Sequence, residues 1–131
     1  MSPNARTIET ARNHLLAATA LRDVTAREVE EAPGFPQVPE TATDDEAEAI
    51  FGAQEDLRIA AGCYRLEDVV RTAETALIEA GQVWALAHAP GSREDLGVAF
   101  RAALGQGSPV GYVRARGRIL DLLLRLDLAT A

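Results

Sequence analysis

The sequence predicts an all-α fold, a helical bundle of four to five helices with one proline-rich connector. Of the 131 residues, 47% are hydrophobic but only 5% are aromatic, so most apolar residues are Ala, Leu, Val and Ile, of which Ala and Leu are strong helix formers. Apolar residues also recur at intervals of three and four along most of the chain, which is the period of an amphipathic helix. A chain of this length fits a single helical domain, residues 1–131.

The first helix is predicted from about Ala5 to Glu31, because Ile8, Ala11 and Leu15 recur at heptad spacing. Residues 32–43 then contain three prolines and a glycine, which prevent regular backbone hydrogen bonding. We therefore expect this segment to be the connector.

A second helix is predicted from residue 44, because Thr43 and Glu46 form a capping box. Two apolar stripes follow, and at ~100° per residue they point to nearly opposite sides of one continuous helix. Gly62 suits a helix end, whereas residues 63–66 contain no Ser, Thr, Asp or Asn to cap a new helix. Residues 44–89 therefore form either one helix or two. The stripes are Ile50, Ala53, Leu57, Ala60 and Tyr64, then Val70, Ala73, Leu77, Ala80, Trp84 and Ala87.

Two further helices are predicted towards the C-terminus, a short one from Ser92 to Leu104 and a final one from Pro109 to about Asp127. Apolar residues cover about two-thirds of the circumference of the final helix, more than a surface helix needs. Such a helix is either the centre of its own bundle or shared with another chain. These residues are Ile119, Leu120, Leu122, Leu123, Leu124, Leu126 and Leu128.

The charge is uneven, and its distribution bears on the class of partner. Residues 28–56 contain ten acidic residues and no basic one, within a chain of net charge −7. Negative charge repels phosphate backbones, which argues against nucleic-acid binding, and it attracts a basic protein. No window approaches the ~20 apolar residues of a membrane span. Because Cys63 is the single cysteine, we expect no internal disulfide and a cytoplasmic location.

No spacing of residues in the sequence indicates a metal, a cofactor or a catalytic group. Neither His14 nor His88 has a Glu three residues before it, as the Glu-x-x-His pairs of di-iron bundles do. The glycines near residue 107 lack a preceding strand, and the chain has no Lys, so a phosphate-binding loop is not indicated. We expect no metal and no cofactor.

Our first functional hypothesis is a non-catalytic helical interaction protein that acts through self-assembly and through docking of a basic protein partner. Apolar burial would supply affinity, and clustered charge would steer association. An inhibitor of the antitoxin or immunity type is one special case, by analogy alone. We also expect a homo-oligomer. The predicted partner-binding residues are Ile119, Leu120, Leu123, Leu124, Leu126, Asp44, Asp45 and Glu48.

The alternative hypothesis is a small helical enzyme or ligand-binding bundle with a pocket between helices. A cavity of a few hundred Å³ with convergent polar groups would favour it. Arg116 falls within the apolar arc of the final helix, where a guanidinium needs an acceptor, and we predict that it pairs with Glu74. The residues predicted to line the pocket are Trp84, Tyr64, Cys63 and Arg116.

Overall fold

The protein is all-helical in the part that the computed structural model describes, residues 1–87 and 109–129. Helices make up 82% of these residues, which include no strand. The helices are α1 (Pro3–Glu31), α2 (Asp44–Ala61), α3 (Cys63–Ala87) and α4 (Pro109–Arg125). The predicted all-α class is therefore confirmed, while the predicted short helix at 92–104 lies outside the described residues. Among the helices described, none is both long and apolar enough to cross a membrane.

Side-chain oxygens cap the first two helices. At the start of α1, Ser2 Oγ accepts a hydrogen bond from the Ala5 N–H at 3.1 Å. At the start of α2, Thr43 Oγ1 accepts a hydrogen bond from the Glu46 N–H at 3.2 Å. Each cap satisfies a backbone donor that has no partner within its own helix. The predicted helix start after Thr43 is thus confirmed.

A break at Gly62 separates α2 from α3. Gly62 has a φ of 81°, and its N–H donates to the carbonyls of Arg58 and Ile59. Residues with a Cβ rarely adopt this left-handed conformation, which is why glycine so often ends a helix. Residues 44–87 therefore form two helices rather than one.

The chain divides into two compact units. The terminal unit comprises Met1–Leu16 and Thr72–Ala131, and the central unit comprises Ala17–Arg71. Residues 88–108 and 130–131 of the terminal unit lie outside the described residues. The largest fully buried side chains all belong to the terminal unit: Ile8, Leu77, Trp84 and Leu123.

Within the terminal unit, α1 and α3 both contact the C-terminal half of α4. A Cβ placed on Gly81 of α3 would lie 2.5 Å from Leu123 Cδ2, so the two helices approach closely because residue 81 has no side chain. From α1, the Arg12 guanidinium donates to the carbonyls of Leu123 and Leu126. These carbonyls lie at the end of α4, where helical donors are missing and a cation is favoured.

Within the central unit, polar contacts join α2 to the connector and to the end of α1. Gln54 Nε2 donates to the Pro36 carbonyl at 2.8 Å. The Arg58 guanidinium lies 5.4 Å from the centroid of the Phe35 ring, a cation–π distance, and 3.4 Å from a Glu30 carboxylate oxygen. Since Gln54 and Arg58 are one turn apart, these contacts fix which side of α2 faces its own unit.

Candidate protein-binding surface

The helix α2 has no buried residue. Its predicted apolar stripe does not face a core, because Ile50 is half-buried and the rest of the stripe within α2 is exposed, Leu57 at 41%. The side that faces the central unit instead contains Gln54 and Arg58, whose partners lie in the connector and α1. An amphipathic helix with no buried side chain has apolar surface available for a partner.

The whole central unit shows the same imbalance between buried and exposed apolar residues. Its buried apolar residues number three, all small or medium in size: Ala18, Cys63 and Val70. Its exposed large apolar residues number seven: Leu21, Val24, Phe51, Leu57, Ile59, Tyr64 and Val69. Scattered apolar residues are normal on a surface, but a concentration of this kind marks interaction sites.

One side of α2 combines exposed apolar and acidic residues, and we call it the acidic face. At ~100° per residue its members span an arc of about 140°. Phe51 is 56% exposed and Ile59 is 57% exposed, and the acidic residues around them are also exposed. No basic residue interrupts the arc. The acidic face consists of Asp44, Asp45, Glu48, Phe51, Asp56 and Ile59.

Glu55 lies within the same arc, but it is half-buried and its carboxylate has partners within the chain. The Tyr64 hydroxyl donates a hydrogen bond to its carboxylate, and the Arg58 guanidinium lies 3.7 Å from it. The hydrogen bond from Tyr64 to Glu55 raises the pKa of the Tyr64 phenol, and desolvation and the Glu55 charge raise it further. Tyr64 therefore stays protonated at neutral pH and links α3 to α2 across the break at Gly62.

The predicted partner-binding residues lie in two places. Asp44, Asp45 and Glu48 are exposed on the acidic face. Of the predicted residues on α4, Ile119 and Leu123 are buried at 2% and 0% exposure. Leu120 is half-buried and Leu124 is 36% exposed. Leu126, which directly follows α4, is also half-buried. Ile119 and Leu123 thus belong to the interior of the terminal unit.

The four residues predicted to line a pocket are divided between the units. Cys63 is buried and Tyr64 exposed in the central unit, whereas Trp84 is fully buried in the terminal unit. Arg116 Nη1 lies 3.7 Å from Glu74 Oε1, which confirms the predicted ion pair, and Arg116 Nη2 donates to Thr75 Oγ1 at 3.1 Å. Both charged side chains are about three-quarters buried.

A groove of about 470 Å³ does lie in the terminal unit, but it opens widely to solvent and involves other residues. It is lined by Arg6, Thr7, Thr10, Ala11, His14 and Ala76. None of the four residues predicted for a pocket is among them. In residues 1–87 and 109–129, no group of three or more His, Cys, Asp or Glu is arranged to hold a metal ion.

Phe51 and Ile59 were absent from the predicted binding residues, because the spacing of apolar residues predicted that the apolar surface of α2 is the stripe that contains Leu57. Both lie off that stripe, at positions where a solvated helix normally has polar residues. Large apolar residues between acids, such as Glu48 and Asp56, were the signal available in the sequence.

Comparison of the chain with protein-family models, curated proteins and solved structures found no match.

Proposed function

We propose that this chain is a non-catalytic interaction protein that docks a basic protein partner on the acidic face of α2. The observation that supports this most is that no residue of α2 is fully buried, together with the exposed acidic residues that surround Phe51 and Ile59. A cytoplasmic location and self-association are parts of the same proposal.

The two kinds of residue on the acidic face suit different steps of binding. Exposed carboxylates raise the rate of encounter with a positively charged surface. Burial of Phe51 and Ile59 would then slow dissociation, since buried apolar area contributes roughly 25 cal/mol per Å². A basic amphipathic helix, with cations beside an apolar stripe, is the partner chemistry that complements this arrangement.

Stopped-flow association with a synthetic helical peptide that has lysines on one face and leucines on the other tests the charged component. The triple variant Asp44→Asn, Asp45→Asn, Glu48→Gln should reduce the on-rate roughly tenfold. Its thermal midpoint should stay within error of the parent, because exposed charges contribute little to the fold.

A matched control removes three exposed acids elsewhere, by Glu67→Gln, Asp68→Asn and Glu79→Gln. Both triple variants change the net charge equally, so a local effect requires a clearly smaller loss of on-rate in the control. Equal losses would mean that the peptide responds only to overall charge, and the acidic face would then not be the docking site.

A second pair of variants tests the apolar component. Phe51→Ser and Ile59→Ser should speed dissociation of the peptide, whereas Val83→Ser, at the similarly exposed Val83 of α3, should not. Dissociation rates that do not change in the Phe51 and Ile59 variants would contradict a role for apolar contact.

A further inference from the structure

The helix α4 is the one described helix with a net positive charge. Residues 109–125 contain four Arg and one Asp, whereas the other three helices are each net negative. Of the four arginines, Arg116 is paired with Glu74. Arg125 pairs with Asp121 of the same helix at 2.6 Å, and Arg114, Arg118 and Arg125 are all exposed.

An apolar seam runs along α4 beside these exposed arginines. Its members follow one another at spacings of four, three and four residues, so they fall within an arc of ~60° at 100° per residue. Val113 is 66% exposed, Leu124 is 36% exposed and Leu120 is half-buried. Gly117 has no heavy atom within 4 Å of an added Cβ, so the seam is open at its middle. The seam consists of Val113, Gly117, Leu120 and Leu124.

From this complementarity we infer that the basic, apolar face of α4 binds the acidic face of α2 on a second copy of the chain. This inference rests on the proposed function, and it assigns a second copy as a basic partner. Phe51 and Ile59 would pack on the seam, while Arg114, Arg118 and Arg125 would meet carboxylates such as Asp44 and Glu48. Residues 44–61 contain six acids and one Arg, so the two helices have opposite net charges.

The contact joins two different surfaces, and each copy has both of them. Such a heterologous interface forms rings when the rotation between copies closes and open chains when it does not. Each face is only a few helical turns long, a size typical of weak, reversible association. The average molar mass should therefore rise with protein concentration and fall with added salt.

Two charge-reversal variants of the full chain test this pairing by sedimentation velocity. The first has Asp44→Lys, Asp45→Lys and Glu48→Lys, and the second has Arg114→Glu, Arg118→Glu and Arg125→Glu. Each variant alone should remain monomeric, because both of its faces then have charge of the same sign. A mixture of the two should associate again, since the lysines of one variant meet the glutamates of the other.

The control Glu67→Lys, Asp68→Lys, Glu79→Lys changes the net charge as the first variant does and should associate like the parent. The inference is overturned if the parent stays monomeric at all concentrations, or if either charge-reversal variant alone associates as the parent does. A monomeric parent that still binds the lysine–leucine peptide through the acidic face would contradict self-association but leave the proposed docking of a basic partner standing. Peptide binding that is unchanged in the Asp44, Asp45 and Glu48 variant would instead contradict the proposed function.

Discussion

At the scale of single residues, arginine makes the contacts that join distant segments of the terminal unit. Arg12 donates to two carbonyls at the end of α4, more than a hundred residues away in the sequence. Arg116 reaches Glu74 and Thr75 on α3. A planar guanidinium has five N–H donors, so one side chain can satisfy two acceptors at once.

We expect Arg116→Ala to lower the free energy of unfolding by about 1–2 kcal/mol, because Glu74 then keeps its charge in a three-quarters buried position without its partner. Removal of one partner from a fully buried ion pair costs roughly 3 kcal/mol. We expect a smaller loss of stability here, because the charged atoms of Arg116 and Glu74 are 3.7 Å apart and both side chains are partly exposed. Urea titration followed by circular dichroism measures the change. The exposed Arg114→Ala is the control and should shift the free energy by less than ~0.5 kcal/mol; equal shifts would show that Arg116 contributes no more than a surface residue.

At the scale of helices, the start of α2 was predictable from the sequence, because a cap depends on a few adjacent residues. Gly62 was recognisable as a residue that suits a helix end, but the sequence left open whether residues 44–89 form one helix or two. The side of α2 that faces its own unit was not predictable. That side is determined by Gln54 with Pro36 and by Arg58 with Glu30, and these pairs lie 18 and 28 residues apart. A three-to-four-residue period identifies an apolar stripe, but whether that stripe is buried depends on which other segments pack against it.

Two glycine substitutions separate helix propensity from helix packing. Gly81→Ala gains up to about 1 kcal/mol of propensity, but its Cβ would lie 2.5 and 2.8 Å from the two Leu123 methyl carbons. Overpacking of this kind costs about 1–3 kcal/mol, so we expect a net loss of stability. Gly117→Ala meets nothing within 4 Å and should gain roughly 0.5–1 kcal/mol. Urea titration of both variants checks the signs, and a stabilising Gly81→Ala would show that α4 moves away at little cost.

At the scale of the whole chain, the acidic component of the candidate site was easier to predict from the sequence than its apolar component. Clustered charge is a property of the sequence itself, and Asp44, Asp45 and Glu48 are exposed as a charged helix start should be. Which apolar residues remain exposed depends on how the helices pack. Ile119 and Leu123 of α4 are buried within the terminal unit, whereas Phe51 and Ile59 of α2 remain exposed.

This difference in burial predicts a difference in local stability. The free energy that opens a segment is limited by the apolar contacts it loses, and α2 has no buried side chain, whereas the second half of α3 contains the fully buried Leu77 and Trp84. Native-state hydrogen exchange in dilute solution should therefore give opening free energies for α2 at least about 2 kcal/mol below those around Leu77.

Addition of the lysine–leucine peptide should slow exchange in α2 and leave the Leu77 region unchanged. Equal protection of the two segments in the free chain would mean that α2 is held by contacts other than apolar burial.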